Sequence, residues 1–113
     1  MLEDYSDVIA WHRVFVAEDM GRIVGVIVLI TEGGQALLDN VAVHPDTQGR
    51  GLGRRLIAFA ENEARRLGFP AIELYTHQLM AENQALYARL GYREFDRRTE
   101  KGYPRVYMRK ALG

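Results

Sequence analysis

The hydrophobic pattern of the chain changes period twice between residues 35 and 77, and this change restricts the fold more than any other feature. The segment "QALLDNVAV" (Gln35–Val43) indicates a β-strand. From Leu52 to Leu67 the apolar residues follow helical spacing, and "AIELYTH" (Ala71–His77) indicates another strand. A strand, a helix and a strand in this order form a crossover unit, so the two flanking strands are predicted to be parallel.

The remaining segments predict further strands and one more helix. Strands at His12–Asp19 and Arg22–Glu32 precede Gln35–Val43 and are separated by short turns, so these three strands are predicted to be antiparallel neighbours. The other predicted elements are a helix over about Glu82–Leu90 and strands near Tyr92–Arg98 and Arg105–Ala111, separated by the turn-like "EKGYP". The predicted fold class is therefore α+β (mixed α/β), with a central mixed, mostly antiparallel sheet covered by two helices.

Length and composition restrict the class of protein. A chain of 113 residues predicts a single domain over residues 1–113, and the 15 basic and 15 acidic residues cancel, which disfavours a nucleic-acid partner. There is no cysteine, and His12 and His44 lack partners at metal-ligand spacing, so no metal site is predicted. The acidic N-terminus does not resemble a signal peptide, and the longest apolar run, Ile23–Ile30, is too short to span a membrane. We therefore expect a soluble, cytoplasmic protein without membrane contact.

The segment "QGRGLG" (residues 48–53) lies in the loop between the predicted strand and helix of the crossover unit. Unpaired backbone N–H groups at a helix start bind anions, and glycines let such groups approach a phosphate closely. The dinucleotide pattern G-x-G-x-x-G fails because its third glycine would fall at Arg54 or Leu56, and no Gly-Lys-Ser/Thr follows to make a P-loop. On these residues alone, the glycines are explained either by a phosphate or by a tight turn into the helix.

The wider stretch "VAVHPDTQGRGLGRRLIAFAENEARRLG" resembles the acetyl-CoA-binding motif of the GNAT superfamily of N-acyltransferases. Gln48, Gly51 and Gly53 occupy the defining positions of Gln/Arg-x-x-Gly-x-Gly/Ala, and "AIELYTH" and "NQALYARLGYREF" follow in the order of the family. The resemblance covers roughly residues 12–111. It implies an acyl-CoA N-acyltransferase domain whose twisted sheet contains a parallel pair that splays apart to admit the cofactor.

The resemblance also implies which residues bind acetyl-CoA, the co-substrate. Backbone amides of the loop and helix start would hold the pyrophosphate, and these residues are Gln48, Gly49, Arg50, Gly51, Leu52, Gly53 and Arg54. The arginines at 50 and 54 add charge or are simply solvated. Val41 and Val43 lie where the family uses strand backbone groups to bind pantetheine and orient the acyl carbonyl. Asn83 is expected to contact the pantetheine arm or to cap its helix.

Transfer of an acetyl group to an amine requires an acid for the thiolate leaving group and a base for the ammonium. Tyr87 is the predicted acid, because the family places a tyrosine at this helix position facing the coenzyme sulfur, and Asn83 lies one turn earlier on the same helix face. Without the resemblance, Tyr87 is better explained as a core aromatic between Leu86 and Leu90, and the family context reverses this preference.

No residue is clearly the base. Many relatives use a glutamate at the position that Leu37 occupies here. Asp39, which faces the same side of the strand, and His77, at the end of its strand, are the candidate catalytic bases. A water chain is a further alternative, and each of the two residues is also explained as an ordinary surface or loop residue.

The start of the chain departs from the family, because relatives carry a strand and two helices before the His12–Asp19 strand. About a dozen residues precede it here, enough for one short helix at most. The acceptor pocket is then open, formed by the C-terminal strands, or completed by a second subunit, and an exposed sheet edge favours a homodimer. The predicted function is N-acetyl transfer from acetyl-CoA, by direct attack, to a primary amine of a small-molecule or peptide acceptor. The alternative is a non-catalytic coenzyme A-binding module with a regulatory or structural role.

Overall fold

A computed structural model describes residues 2–4, 12–47, 49 and 51–113, and these form seven strands and two α-helices. The helices are α1 (Leu52–Arg66) and α2 (Ala81–Arg89). The strands are β1 (Leu2–Asp4), β2 (His12–Asp19), β3 (Arg22–Ile30), β4 (Ala36–Val43), β5 (Ala71–His77), β6 (Arg93–Glu100) and β7 (Tyr103–Ala111). Among the described residues, no helix is long and apolar enough to cross a membrane.

The strands form one sheet in the order β1-β2-β3-β4-β5-β7-β6. Only β4 and β5 are parallel, and every other neighbouring pair is antiparallel. The predicted mixed sheet, its parallel crossover pair and the antiparallel order of the first three predicted strands are therefore confirmed.

Several element boundaries differ from the prediction by one or two residues, and some of these differences have a local reason. Strand β3 ends at Ile30 rather than Glu32 because residues 32–34 form a 3-10 turn in which Gly33 has a φ of 72°. Tyr92 precedes β6 and is buried, with an exposed fraction of 2%. The predicted turn "EKGYP" narrows to Lys101 and Gly102, whose φ values of 51° and 80° fit a two-residue hairpin turn that follows the sheet twist.

The start of the chain also differs from the prediction. Leu2–Asp4 is a strand that pairs with β2 from Phe15 to Ala17, so part of the edge that we expected to be exposed carries a neighbouring strand. The sequence left room for one short helix at most in this part of the chain, and residues 5–11 are outside the described residues.

Strands β4 and β5 pair along only part of their length. Ala36–Leu38 pairs with Ile72–Leu74, and no pair follows in the direction of Val43. Because β3 continues to pair with β4 up to Val43, the second half of β4 keeps one neighbour and has a free edge on the side of β5. The splay that the resemblance implies is therefore present.

A one-residue bulge in β4 decides which side chains face the helices. Asn40 pairs with Val28 and Leu38 pairs with Leu29, so Asp39 is an extra residue without a partner in β3. An extra residue reverses the alternation of side chains on the strand that contains it. Side chains of Val41 and Val43 therefore lie on the same face as Leu38, and they pack against the core.

Both helices cover one face of the sheet. Helix α1 lies very close to β3, because a Cβ atom added to Gly25 would be 2.9 Å from Cδ1 of Leu56. Tyr87 of α2 and Leu90, which directly follows this helix, pack against the same core cluster. The core side chains of the strands are Phe15, Ala17, Val24, Ile27, Leu29, Ala36, Leu38, Ile72, Leu74, Val106 and Met108.

The other face, which we call the helix-free face, is not covered by either described helix. On β5 the buried side chains Ile72, Leu74 and Thr76 alternate with Glu73, Tyr75 and His77, which are half-buried. Since Ile72 and Leu74 belong to the core cluster, the alternate side chains belong to the helix-free face.

Candidate functional site

A cleft of about 520 Å³ lies between the free half of β4, the start of α1 and α2. Every described residue that was predicted to bind the cofactor lines this cleft, together with the predicted acid Tyr87. Its lining residues are Val41, Val43, Thr47, Gly49, Gly51, Leu52, Gly53, Arg54, Ile57, Asn83, Leu86 and Tyr87. The predictions for Gln48 and Arg50 lie outside the described residues.

The glycines of the loop leave space where other residues would place a side chain. Gly49 and Gly51 have φ values of 84° and 77°, in the left-handed region that favours glycine. A Cβ atom at either position would meet no other atom within 4 Å. Gly53 is helical, and its added Cβ would lie 3.8 Å from Cγ2 of Val43, in ordinary contact. The loop backbone is thus open to a ligand in the cleft.

The start of α1 presents to this cleft backbone donors that have no hydrogen-bond partner among the described residues. The amide of Arg55 donates to the carbonyl of Gly51 at 3.1 Å, and the amides of Leu52, Gly53 and Arg54 precede this first bond of the helical ladder. No described side chain caps the helix, and its first turn contains no acidic residue. Because Arg54 also lines the cleft, the positive end of the helix dipole is reinforced there, which suits a phosphate.

The free edge of β4 presents backbone groups to the same cleft. The amide of His44 donates to the carbonyl of Val24 at 2.7 Å, so His44 faces β3. Backbone polar groups of successive residues in a strand point to opposite edges. The N–H and C=O groups of Val43 and Val41 therefore point away from β3, toward the gap that β5 leaves open. An extended ligand arm would find hydrogen-bonding partners there, as an added strand would.

Tyr87 belongs both to the cleft and to the edge of the core. Its ring packs edge-on against the ring of Tyr92, with centroids 6.0 Å apart, and Asn83 lines the cleft one helical turn earlier. Burial raises the pKa of Tyr87, so the phenol keeps its proton at neutral pH. Among the described residues, none forms a hydrogen bond with the Tyr87 hydroxyl. The side chain is thus a core-packed ring whose donor is available.

The two candidate bases do not line the cleft but lie on the helix-free face. Asp39 is exposed, and the hydroxyl of Tyr75 donates to its Oδ1 atom at 3.3 Å. His77 accepts a hydrogen bond at Nδ1 from the amide of Leu79 at 3.0 Å. With Nδ1 occupied as an acceptor, the neutral imidazole carries its proton on Nε2, where it acts as a donor.

The sequence prediction missed several residues that the structure places in the cleft or on the helix-free face. Thr47, Ile57 and Leu86 line the cleft, and the last two lie one helical turn after Gly53 and Asn83, a spacing that would have identified them. Tyr75 was also missed, although its position two residues before His77 places both on one face of a strand.

No group of three or more histidine or acidic side chains that could hold a metal ion occurs in the described part of the chain.

The fold matches that of known acetyltransferases. A GNAT family acetyltransferase from Elizabethkingia anophelis, with acetyl-CoA bound, superposes with a TM-score of 0.88 over 99% of this chain and 97% of that chain. The two sequences are 15% identical, so this likeness concerns the fold.

Sequence comparison then gives the family. The family model "Acetyltransferase (GNAT) domain" matches residues 10–94, and the chain belongs to this family. It is 38% identical over 82 residues to the IAA acetyltransferase of Azospirillum brasilense, and 36% identical over 74 residues to the mycothiol acetyltransferase of Clavibacter michiganensis. These matches cover 71% and 66% of this chain, but only 54% and 24% of the two relatives.

Proposed function

We propose that the protein transfers an acetyl group from acetyl-CoA to a primary amine. The observation that carries this proposal is the cleft, in which a free strand edge, an uncapped helix start and a half-buried tyrosine meet. Both sequence relatives are named as acetyltransferases, and a structural neighbour binds acetyl-CoA, which supports the same cofactor here.

The described residues fit coenzyme A in two places. The amides at the start of α1 and the open space at Gly51 suit the pyrophosphate, whereas the outward backbone groups of Val41 and Val43 suit the pantetheine arm. Bound acetyl-CoA supplies an acetyl group activated as a thioester. An outward N–H group of β4 polarises the acetyl carbonyl, because it is a fixed donor beside the oxygen that gains charge.

We assign the proton-accepting role to Asp39 rather than His77. An alkyl amine has a pKa of about 10.4 and enters as an ammonium, so it must lose a proton before it can attack. The Oδ2 atom of Asp39 can accept this proton, whereas the Nε2 atom of His77 already carries one. Asp39 is also the first residue of β4 beyond its last pair with β5, next to the gap that admits the cofactor.

Tyr87 has the complementary role on the other side of the sheet. It donates a hydrogen bond and then a proton to the sulfur that leaves as a thiolate. Since Tyr87 lies on the helix-covered face and Asp39 on the helix-free face, the acid and the base reach the gap between β4 and β5 from opposite sides. One proton is thus taken from the amine on one face and one is given to the sulfur on the other.

We expect acetyl-CoA to stabilise the protein and amines to release coenzyme A thiol from the mixture. A cofactor concentration of 100 Kd adds about 2.7 kcal/mol to the free energy of unfolding, which raises Tm by about 10 °C in a domain of this size. Thermal unfolding and a thiol assay with a panel of amines measure the two effects. No thermal shift would contradict cofactor binding, whereas a shift without thiol release would favour the alternative, a non-catalytic coenzyme A-binding module.

We further propose that the chain forms a homodimer through the β3 part of the helix-free face, which leaves the side chains of β5 on that face accessible. Its side chains Val26, Val28 and Ile30 are only half-buried, and burying apolar surface drives association. Size-exclusion chromatography with light scattering, with and without acetyl-CoA, should then give twice the chain mass of 12.9 kDa. A monomer mass under both conditions contradicts this proposal. Location in the cytoplasm stays a prediction.

A further inference from the structure

The hydrogen bond between Tyr75 and Asp39 lies at the point where the two parallel strands separate. Leu38 and Leu74 form the last pair between β4 and β5, and Asp39 and Tyr75 are the next residues of the two strands. Their side chains meet on the helix-free face, with the Tyr75 hydroxyl 3.3 Å from Oδ1 of Asp39. A tyrosine therefore bridges the two strands directly beside the gap and holds one oxygen of the carboxylate.

The ring of Tyr75 is fixed by its neighbours on β7. The guanidinium carbon of Arg105 lies 4.2 Å from the ring centroid, and the ring of Tyr107 lies 5.6 Å away. Arg105 also pairs with Glu100 at 3.2 Å, and the Tyr107 hydroxyl donates to the same carboxylate. Burial and the negative charge of Asp39 raise the pKa of Tyr75, so it stays a donor at neutral pH. These contacts limit the ring to one orientation and keep its hydroxyl directed at Asp39.

The described charges on this face include no cation that pairs with the Asp39 carboxylate. Three arginines on β6 and β7 are each neutralised by a carboxylate and stacked on a ring, whereas Arg93, opposite Arg109, forms no ion pair with a described residue. Arg109 pairs with Glu73 at 2.8 Å, Arg105 with Glu100 at 3.2 Å, and Arg98 with Asp96 at 2.6 Å. Among the described residues, no arginine, lysine or histidine forms an ion pair with Asp39. Its Oδ2 atom therefore remains available to a cation from outside the chain.

We propose that Tyr75 is a positioning residue for Asp39, and that the pair forms the subsite for the ammonium group of the acceptor. The acceptor is then an alkyl primary amine that enters as a cation from the helix-free face. The reaction at this subsite rests on the proposed function, but cation binding does not. The ammonium gives one proton to Oδ2 of Asp39, and the nitrogen lone pair then forms the N–C bond as the C–S bond breaks and Tyr87 protonates the leaving sulfur. The acylated nitrogen gives its second proton to water to become the neutral amide, and Tyr87 regains a proton from water. The exposed carboxyl returns its proton to water.

The binding experiment uses the full chain saturated with coenzyme A and titrated with butylamine, with uncharged butanol as the control ligand. Binding is followed by protein NMR shifts. We expect butylamine to bind and butanol not to bind. Because a hydrogen bond to a charged group contributes about 1.5–3 kcal/mol, Asp39→Asn should weaken butylamine binding by about tenfold or more. Tyr75→Phe keeps the ring contacts and should weaken it a few-fold, whereas Tyr103→Phe, an exposed tyrosine, should not change it.

The double variant distinguishes a positioning residue from a structural one. If Tyr75 acts through Asp39, then Tyr75→Phe adds no further loss in the Asp39→Asn background. Three results would overturn the proposal. In the first, the double variant loses butylamine affinity by the product of the two single-variant factors. In the second, Asp39→Asn keeps the wild-type affinity, and in the third the wild-type protein does not bind butylamine.

Kinetic measurements separate this proposal from the proposed function. With butylamine as acceptor, both variants should lower kcat/KM for the amine while KM for acetyl-CoA stays unchanged. If butylamine binds in an Asp39-dependent way but no thiol is released, the proposed function fails and the subsite stands. If thiol is released at the wild-type rate by Asp39→Asn and Tyr75→Phe, the subsite fails and the function stands.

Discussion

Replacement of Gly53 by tryptophan is expected to abolish acetyl-CoA binding while the protein stays folded. Gly53 is the second residue of α1 and lines the cleft, and a side chain there extends from a Cβ atom that lies 3.8 Å from Val43. An indole at this position fills the space beside the helix-start amides, so the phosphate loses at least two hydrogen bonds of about 1.5 kcal/mol or more each. The Kd for acetyl-CoA should therefore increase by about 100-fold or more, which isothermal titration calorimetry measures directly.

Gly53→Ala is the matched control for this substitution. Its methyl group meets only ordinary contact with Val43, and alanine in place of glycine within a helix adds up to about 1 kcal/mol of stability. We expect Gly53→Ala to keep acetyl-CoA affinity within about tenfold of the wild type. Gly51 is a less informative position, because its φ of 77° strains any other residue and would disturb the loop itself. Wild-type affinity in Gly53→Trp would refute the phosphate-binding role of the loop.

Tyr87→Phe is expected to lower kcat by about 100-fold, with acetyl-CoA affinity and the free energy of unfolding close to those of the wild type. The phenylalanine ring keeps the edge-on contact with Tyr92, and the lost hydroxyl has no hydrogen-bond partner among the described residues. The thiolate would then leave without a proton donor, which is a loss confined to the reaction step. Steady-state kinetics of thiol release, with Tyr103→Phe as the control, measures the effect.

The pH dependence of this effect follows from the sign of the pKa shift. Burial raises the pKa of Tyr87 above its usual value of about 10, so the phenol is protonated throughout the neutral range. The ratio of wild-type to Tyr87→Phe rates should therefore be constant from about pH 6 to pH 9 and fall only above about pH 10. Full turnover in Tyr87→Phe, or a ratio that collapses near neutral pH, would show that another group protonates the sulfur.

Most of the fold could be predicted because its elements have clear hydrophobic periods. The helical spacing from Leu52 to Leu67, placed between two strand-like segments, was sufficient to predict that Gln35–Val43 and Ala71–His77 are parallel. Element ends were less accurate. The turn at Gly33 and Gly34 was predicted from the two glycines, but β3 ends at Ile30, two residues before the predicted end, because the turn already includes Glu32.

The candidate site likewise has a part that the sequence predicts and a part that only the structure shows. The residues that line the cleft were largely predictable because the glycines and Tyr87 belong to a motif whose order and spacing are visible in the sequence. The contact between Tyr75 and Asp39 was not, because it joins residues 36 positions apart on two strands and depends on the point at which those strands separate. A preference between Asp39 and His77 likewise depended on a hydrogen bond at His77 Nδ1 that composition does not reveal.

The extra residue at Asp39 also affects how β4 should be aligned with the corresponding strand of another protein. Counting back from the glycine loop assigns a face to each residue only as far as Asn40, because the alternation starts again with the opposite parity at Leu38. A strand without such an insertion would place its equivalent residues one position nearer the loop. An alignment or a chimera that crosses Asp39 therefore needs to match residues by their hydrogen-bond register with β3. Matching residues by their distance from Gly51 would pair side chains that face the helices with side chains of the helix-free face.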